Sequence, residues 1–347
     1  MVSTFGNSIV SAFTGGLPVK AIYTHGVYVW PIKYYISWTP SDLSGTFSIE
    51  GQTYNLEDYS GYFDGFNGVI DVQAFMSTGV QTIETNAFSI NERAFKNCYS
   101  LVSISMSQCN TINGGAFANC STLEDVYAPE CVSVGEEAFW ACNSLSAVSL
   151  SLCEEVYRGA FGSCDILQTV YLPEVTYLDS HVFRSCGSLE TVTVSQLSRI
   201  EGATFLWCSY LQNIDLGECS YVGVTAFYGC RRLSDVYTPL LESIDDFGFA
   251  ACRSFTSMDL PVCSIIGDRA FYQCESLSTI FLGYSDVCIL GSSKDYGEQS
   301  STYRNFDETL IASGLGSIYV PSSLVSLYKS NSGWRSLSSY IHPIPHN

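Results

Sequence analysis

The chain has 347 residues, of which 46% are hydrophobic and 14% charged, so it can bury a sizeable core and is too apolar to be disordered. Its 34 Asp and Glu residues against 15 Lys and Arg give a net charge of -19, which repels polyanions and excludes nucleic acid as an expected partner. No stretch approaches the roughly 18 consecutive apolar residues of a membrane span, and the opening MVSTFGNSIVSAFTGG lacks a visible export signal.

Residues 1–60 lack the periodic columns found later in the chain and predict a small β module. The segment PVKAIYTHGVYVWP contains two short alternating strands around Thr24-His25-Gly26, and TFSIEGQTY predicts a hairpin around Glu50-Gly51. Residues 18–31 resemble a short element near the start of tail and fibre proteins of phages that infect gut Bacteroidetes. This resemblance implies an attachment or oligomerisation module, and we expect its contact residues to be Ile22, Tyr23, Tyr28 and Trp30.

Residues 61–93 predict an N-terminal capping repeat. Ile83-x4-Phe88 and Ile90-x4-Phe95 both copy the Ile/Val-x4-Phe element that opens each later repeat. A degenerate first repeat of this kind covers the end of a repeat array, which otherwise exposes its core.

Residues 94–282 contain nine repeats of 22 residues. A leucine column runs from Leu101 to Leu277 and an Ile/Val column from Ile104 to Ile280. The period lies in the range of leucine-rich repeats, in which each repeat is a short strand with a turn or 3₁₀ return, and segments such as LEDVYAP alternate as a half-buried strand should. The sequence therefore predicts a repeat solenoid with a parallel β-sheet. Each repeat has a phenylalanine followed three positions later by a cysteine, at Phe95, Phe117, Phe139, Phe161, Phe183, Phe205, Phe227, Phe249 and Phe271.

Copies such as AFWACNSLSAVSL and AFYQCESLSTIFL resemble the BspA-like leucine-rich repeats of gut and oral bacteria, their phages and some protists, over roughly residues 83–347. Residues 283–347, an irregular last repeat and its ending, resemble the closing unit of that family. The resemblance implies adhesion and surface binding, and a short C-terminal helical cap. In this cap Ser322 or Ser323 would begin a helix that carries Leu324, Leu327 and Tyr328, with Trp334 and Leu337 on a second helix.

The positions of the 15 cysteines predict a structural role in core packing rather than metal binding or redox chemistry. Nine follow the phenylalanines, and a second column in steps of 22 accepts Val and Leu beside Cys, as a buried free thiol would. We expect these fourteen thiols to be reduced and buried, and Cys164→Ser to destabilise because its hydroxyl would lack a partner. Cys288 lies outside both columns and could be exposed. The second column reads Cys109, Cys131, Cys153, Val175, Leu197, Cys219, Leu241 and Cys263.

Catalytic and metal sites are not predicted. The chain has no CxxC pair and no Cys/His cluster with zinc spacing. His181 stands at a solvent position of the repeat, and pairs such as Glu136-Glu137 and Asp245-Asp246 lie in turns, where solvated carboxylates are usual. We therefore expect no enzymatic activity, no cofactor and no bound metal.

The strand positions between core residues predict one exposed sheet face, acidic and rich in hydroxyl groups and aromatic rings. Rigid tyrosines beside short polar side chains suit stacking on sugar rings or docking a basic protein patch, although β-strands favour Tyr and Thr in any case. The expected binding residues are Asp125, Tyr127, Tyr171, Asp215, Asp235, Tyr237, Asp259 and Phe281.

The function predicted from these features is non-enzymatic binding. We expect a phage virion component, a tail or head fibre for host attachment that is assembled in the host cytoplasm, because neither an export signal nor an anchor is visible. The alternatives are a secreted or cell-surface bacterial adhesin and an intracellular interaction scaffold. The expected partners are protein or glycan on a cell surface and, through the N-terminal module, other virion proteins in a homo-oligomer.

Overall fold

The computed structural model describes residue 70 and residues 73–76, 79–194, 196–291 and 305–345 in full, and only the backbone of short strands before residue 70. The fold is a β-solenoid of about 11 turns of roughly 22 residues with parallel sheets, which confirms the predicted fold class. The chain divides into two units, one of residues 1–156 and 163–167 and one of residues 157–162 and 168–347.

The first unit forms two sheets with the strand orders β13-β11-β9-β5 and β16-β14-β12-β10-β8-β6-β7. Its strands are β1 Val10–Thr14, β2 Leu17–Ala21, β3 Tyr23–Thr24, β4 Val27–Tyr28, β5 Tyr35–Ser37, β6 Thr46–Ile49, β7 Gln52–Asn55, β8 Val69–Ile70, β9 Thr82–Thr85, β10 Ser89–Ile90, β11 Ser103–Met106, β12 Thr111–Ile112, β13 Asp125–Tyr127, β14 Ser133–Val134, β15 Ala147–Ser149 and β16 Glu155–Val156.

Each full turn contains two strands rather than the one predicted. The longer strand carries the Ile/Val column, and parallel pairing sets Ile104 opposite Val126. The second strand has two residues and ends on an Ile or Val, or on Leu178 in one turn, five residues before the phenylalanine. Parallel pairing sets Ile112 opposite Val134. Both of these residues are fully buried. A strand of two residues is too short to show the alternation by which strands are identified in a sequence.

The N-terminal strands close both sheets of the first unit. Strand β5 pairs antiparallel with β9, with Ile36 opposite Ile83, and β6 pairs antiparallel with β8. The predicted hairpins agree with the antiparallel pairs β3 with β4 and β6 with β7. Unpaired strand edges invite association with other chains, so strands β5 and β6 protect the edges of the first turn, a role that the sequence pattern did not predict.

Phe75, not Phe88, begins the buried aromatic series. Its ring stacks on Phe95 with centroids 4.9 Å apart, and the strand residue Ile70 precedes it by five positions. Phe88 is 47% exposed, while Ile83 pairs with Ile104 in the Ile/Val column. The Ile83-x4-Phe88 match is therefore a coincidence of spacing.

The second unit forms sheets with the strand orders β17-β19, β21-β23, β25-β27-β29-β30 and β20-β22-β24-β26-β28. Its strands are β17 Thr169–Tyr171, β18 Tyr177–Leu178, β19 Thr191–Thr193, β20 Arg199–Ile200, β21 Asn213–Asp215, β22 Tyr221–Val222, β23 Asp235–Tyr237, β24 Ser243–Ile244, β25 Ser257–Leu260, β26 Ile265–Ile266, β27 Thr279–Leu282, β28 Ile289–Leu290, β29 Ser317–Val320 and β30 Ile341–Pro343.

A ladder of stacked phenylalanine rings forms the core of each unit. In the second unit successive centroids lie 5.0 to 6.0 Å apart and the ring planes differ by no more than 15°. The ladder continues to Phe306 although the 22-residue period is broken after Phe271. Its members are Phe75, Phe95, Phe117 and Phe139 in the first unit and Phe161, Phe183, Phe205, Phe227, Phe249, Phe271 and Phe306 in the second.

The cysteines that follow the phenylalanines bind to the neighbouring turn. Each thiol donates a hydrogen bond to the carbonyl oxygen of a phenylalanine 23 or 25 residues earlier, at 2.9 to 3.3 Å. All 15 cysteines are free and buried. The Cys164 thiol donates to Phe139 at 3.2 Å, so the reason given for Cys164→Ser is wrong, because a serine hydroxyl has an acceptor there. The second-column thiols donate only within their own turn, to the carbonyl oxygen two residues later, so the bond between turns is what distinguishes the first column, which holds no Val or Leu.

Cys208→Val is expected to destabilise the protein by about 1 to 3 kcal/mol, because it removes a thiol donor and adds a branched side chain to a packed column. Cys219→Val is the matched control, because its thiol donates only within its own turn, to the Tyr221 carbonyl oxygen at 3.1 Å. Leu197 and Leu241 already hold the neighbouring places of the second column, so this variant should cost less than about 1 kcal/mol. Urea unfolding of both variants measures the difference. Equal losses would show that the hydrogen bond to the Phe183 carbonyl is unimportant.

The C-terminal cap binds the last turn through Cys288. The Tyr328 hydroxyl accepts the Cys288 N–H at 2.8 Å, and the Trp334 indole N–H donates to the Cys288 carbonyl oxygen at 2.7 Å. Tyr328, Trp334 and Cys288 are fully buried, so the expectation of an exposed Cys288 is wrong. The cap consists of a 3₁₀ helix Ser322–Leu324, helix α1 Val325–Ser330, a 3₁₀ helix Arg335–Tyr340 and strand β30.

Two details of the predicted cap differ in the structure. Neither Ser322 nor Ser323 caps a helix with its side chain, because the chain enters the first 3₁₀ helix from Pro321, and Leu327 is 50% exposed. Strand β30 pairs parallel with β29 and so covers the edge of the sheet, which the sequence did not predict. None of the helices in the described part of the chain is long and apolar enough to cross a bilayer.

Candidate binding site

The outward side chains of the longer strands in the second unit form a sheet face. Because side chains alternate along a strand, the residues on either side of each buried Ile, Val or Met point outward in two rows. The tyrosine row is Tyr171, Thr193, Asp215, Tyr237, Asp259, Phe281, Tyr319 and His342. The hydroxyl row is Thr169, Thr191, Asn213, Asp235, Ser257, Thr279 and Ser317.

The predicted binding residues are placed as the alternation implies. Tyr171 is 47% exposed and Tyr237 63%, and the three aspartates of the two rows are exposed as well. Asp125 and Tyr127 are also exposed, on β13 of the first unit. The structure therefore places six of the eight predicted residues on the sheet face of the second unit and two on a strand of the first.

Phe281 differs from the other aromatic residues of the prediction. Its ring stacks on Tyr319 with centroids 5.0 Å apart and planes at 16°, and both rings are half-buried. His342 follows at 6.1 Å from Tyr319. Sequence reasoning missed Tyr319 and His342, because extra residues between Gly291 and Asn305 break the 22-residue period. The SIYV pattern around Tyr319 was the only signal for this continuation.

The carboxylates of the sheet face have no cationic partner in the described part of the chain. The four ion pairs there use other carboxylates, those of Glu92, Glu201, Glu275 and Asp268. Asp215 accepts the Gly217 N–H at 2.9 Å through Oδ1, which fixes the direction of its side chain. No Lys or Arg stands in either row. The face is therefore an anionic surface with uncompensated charge.

A polar groove of about 680 Å³ lies in the first unit above Gly114 and Gly115. Its walls carry both signs of charge, with Glu136 on one side and Arg93 on the other, and Arg93 already pairs with Glu92 at 3.1 Å. This internal compensation gives no preference for a class of ligand. The groove is a gap left by two glycines in a column of long side chains.

Within the described residues, the side chains capable of acid, base or metal chemistry do not form a cluster. Burial and the nearby Arg158 and Arg184 lower the pKa of His181, which favours its neutral form. The described residues contain no group of three or more His, Cys, Asp or Glu side chains that could hold a metal ion. Burial raises the pKa of the Cys164 thiol to about 12, so it is a poor nucleophile.

The proposed attachment residues Ile22, Tyr23, Tyr28 and Trp30 lie outside the residues whose side chains the structure describes. Only the backbone pairing of Tyr23 with Tyr28 bears on them, and it concerns the hairpin rather than any contact. Their role in attachment stays a prediction.

The chain matches a family model described as BspA type Leucine rich repeat region, in six copies over residues 68–190, 132–240 and 220–327. A leucine-rich cell surface protein from Faecalibacterium prausnitzii is similar at 18% identity, with 89% of this chain and 98% of that chain covered and a TM-score of 0.36. A leucine-rich repeat protein from Bacteroides ovatus is 18% identical over 99% and 100% of the two chains, with a TM-score of 0.35. The pneumococcal vaccine antigen PcpA is 14% identical over 99% and 97%, with a TM-score of 0.40. No curated protein matches significantly. Because the family model matches well over half of the sequence, the chain belongs to the family of BspA type leucine-rich repeat proteins.

Proposed function

We propose that this protein is a non-enzymatic binding protein of the cell surface or the extracellular space, and that the sheet face of its second unit contacts the partner. The observation that carries the proposal is the pair of rows, in which exposed tyrosines alternate with uncompensated aspartates and hydroxyl groups. Proteins of the family are typically non-enzymatic and typically cell-surface or secreted, which supports the proposal.

The side chains of the face suit a contact surface for physical reasons. Tyrosine offers a large amphipathic area while losing only two side-chain torsions on binding, so its entropic cost is small. The strands beneath it are held by the buried ladder, so the rows are presented in a fixed register at about 4.8 Å per strand. A prearranged surface avoids the cost of ordering a loop.

The virion role remains a prediction from residues 18–31, and the family match gives it no support. Homo-oligomerisation and the role of intracellular scaffold are likewise predictions from the sequence that the family match does not support. We therefore propose a cell-surface or secreted protein in place of a phage fibre.

The test uses the labelled full-length protein on arrays of glycans and of peptides. Tyr171→Ala combined with Tyr237→Ala should weaken the bound spots roughly tenfold or more, with little change in melting temperature, because both rings are exposed. Tyr99→Ala combined with Tyr177→Ala is the matched control, since these rings are 59% and 42% exposed outside the face. Equal losses in the two double variants, or no binding by the wild type, would count against the proposal.

A further inference from the structure

We propose that Tyr237, Asp215 and Asp259 form a subsite on this face that binds a cationic side chain of a basic protein segment. The subsite prefers arginine to lysine. The inference rests on the proposed function of the sheet face and adds the chemistry of its partner.

The three side chains are neighbours. Strand pairing sets Asp215 opposite Tyr237. The point at which a Cβ on Gly217 would lie is 3.2 Å from Asp215 Oδ1 and 3.6 Å from Tyr237 Cε1, so the carboxylate stands beside the ring. On the other side, the Thr238 hydroxyl donates to the Asp259 carbonyl oxygen at 3.0 Å, which places Asp259 on the strand that follows Tyr237. Tyr237 therefore stands on a strand with Asp215 on the strand before it and Asp259 on the strand after it.

The charge of this subsite is incomplete without a cation. Asp215, Asp235 and Asp259 form no ion pair within the described part of the chain, and the rows that contain them hold no Lys or Arg. The net charge of -19 adds a field that attracts cations. A neutral ligand would displace water from these carboxylates without compensating their charge, whereas a guanidinium group compensates it directly.

The chain contains the complete arrangement elsewhere. The Arg199 guanidinium lies 4.0 Å from the centre of the Tyr221 ring and pairs with Glu201 at 3.1 Å, while the Tyr221 hydroxyl donates to Asp245. Tyr221 thus has a cation on its ring and carboxylates beside it. Tyr237 has the ring and the carboxylates, but its cation must come from a partner.

A comparison with another tyrosine of the same chain shows what distinguishes Tyr237. Strands β13 and β23 both read Asp-Val-Tyr, and Tyr127 is 58% exposed against 63% for Tyr237. Beside Tyr127, however, the paired position on β11 is Ser105, and the position 22 residues later is Ser149. The flanking carboxylates are what distinguishes Tyr237.

The experiment measures binding of a labelled peptide of repeated Arg-Gly-Ser triplets to the full-length protein at about 0.15 M salt, where distant charges are screened. Tyr237→Ala, and Asp215→Asn combined with Asp259→Asn, should each weaken binding at least about tenfold, and Tyr237→Phe should retain it, because the ring carries the contact. Tyr99→Ala, and Glu124→Gln combined with Glu130→Gln, should stay within about twofold, because these exposed residues lie outside both rows. A peptide with citrulline in place of arginine should not bind.

Equal weakening by the two double variants would overturn the subsite, since it would show attraction to net charge alone. Failure of the wild type to bind the arginine peptide would also overturn it. If array ligands still depend on Tyr171 and Tyr237 in that case, or if a neutral glycan binds there instead, the proposed function stands and only the cationic partner is wrong. If neither the arrays nor the peptide show binding, both proposals fail.

Discussion

The protein is expected to unfold when the pH is raised from about 8 to about 10. Burial raises the pKa of twelve of its thiols above the value near 9 that they have when exposed, for example to about 11 for Cys109 and about 12 for Cys153. Well below pH 9 the thiols are neutral in both states and stability is complete. Above it the unfolded chain loses thiol protons that the folded chain keeps, so stability falls. The thiols with raised pKa are those of Cys109, Cys120, Cys131, Cys142, Cys153, Cys164, Cys208, Cys219, Cys230, Cys252, Cys274 and Cys288.

The number of thiols makes this effect large. Each contributes up to about 1.4 kcal/mol per pH unit, and a domain is stable by only about 5 to 15 kcal/mol, so roughly one unit above pH 9 suffices. Circular dichroism and thiolate absorbance should change together across this range. Replacing four second-column cysteines, Cys109, Cys131, Cys153 and Cys219, by Val should move the midpoint to higher pH. Thiolate formation without loss of structure would contradict the expectation.

Phe205→Ala is expected to destabilise the second unit by about 3 to 5 kcal/mol. The ring is fully buried and stacks on Phe183 at 5.5 Å and on Phe227 at 5.2 Å. Removing it leaves a cavity and ends two ring contacts at once. Because each turn packs only against its neighbours, the loss weakens the junction between adjacent turns and should broaden the urea transition.

Phe88→Ala is the control for this variant. Phe88 belongs to the same Ile-x4-Phe spacing but is 47% exposed, and its removal should change the free energy of unfolding by less than about 0.5 kcal/mol. A loss below about 1 kcal/mol for Phe205→Ala would show that the ladder does not hold the turns together.

The repeat could be predicted because its columns record contacts between turns. Residues 22 apart, such as Phe183 and Phe205, touch one another, so the same requirement recurs at each step. The exposed positions of Tyr171 and Tyr237 followed from alternation alone. Periodicity thus predicts both the core and the residues that face away from it.

The remaining features depend on contacts without a period. Phe75 precedes Phe95 by 20 residues rather than 22. Phe88, which also fits the Ile-x4-Phe spacing, is exposed and does not belong to the buried series. Cys288 is buried because Tyr328 and Trp334, 40 and 46 residues later, bond to its backbone. Likewise His342 reaches the tyrosine row only because β30 adds a strand after the helical cap. Contacts of this kind leave no regular trace in the sequence.

The hydrogen bonds of the first cysteine column have a consequence for the gene. From Cys120 to Cys274 each thiol of this column donates to the phenylalanine carbonyl oxygen 25 residues earlier, in the previous turn. If the gene gains or loses 22 codons in frame, the two turns that meet at the new junction can therefore form the same thiol–carbonyl hydrogen bond and the same stacking of phenylalanine rings. Unequal recombination between copies can lengthen or shorten the array by whole turns while both ends stay capped. Each event adds or removes one strand, about 4.8 Å of sheet face, so the extent of the surface can vary among descendants without new core packing.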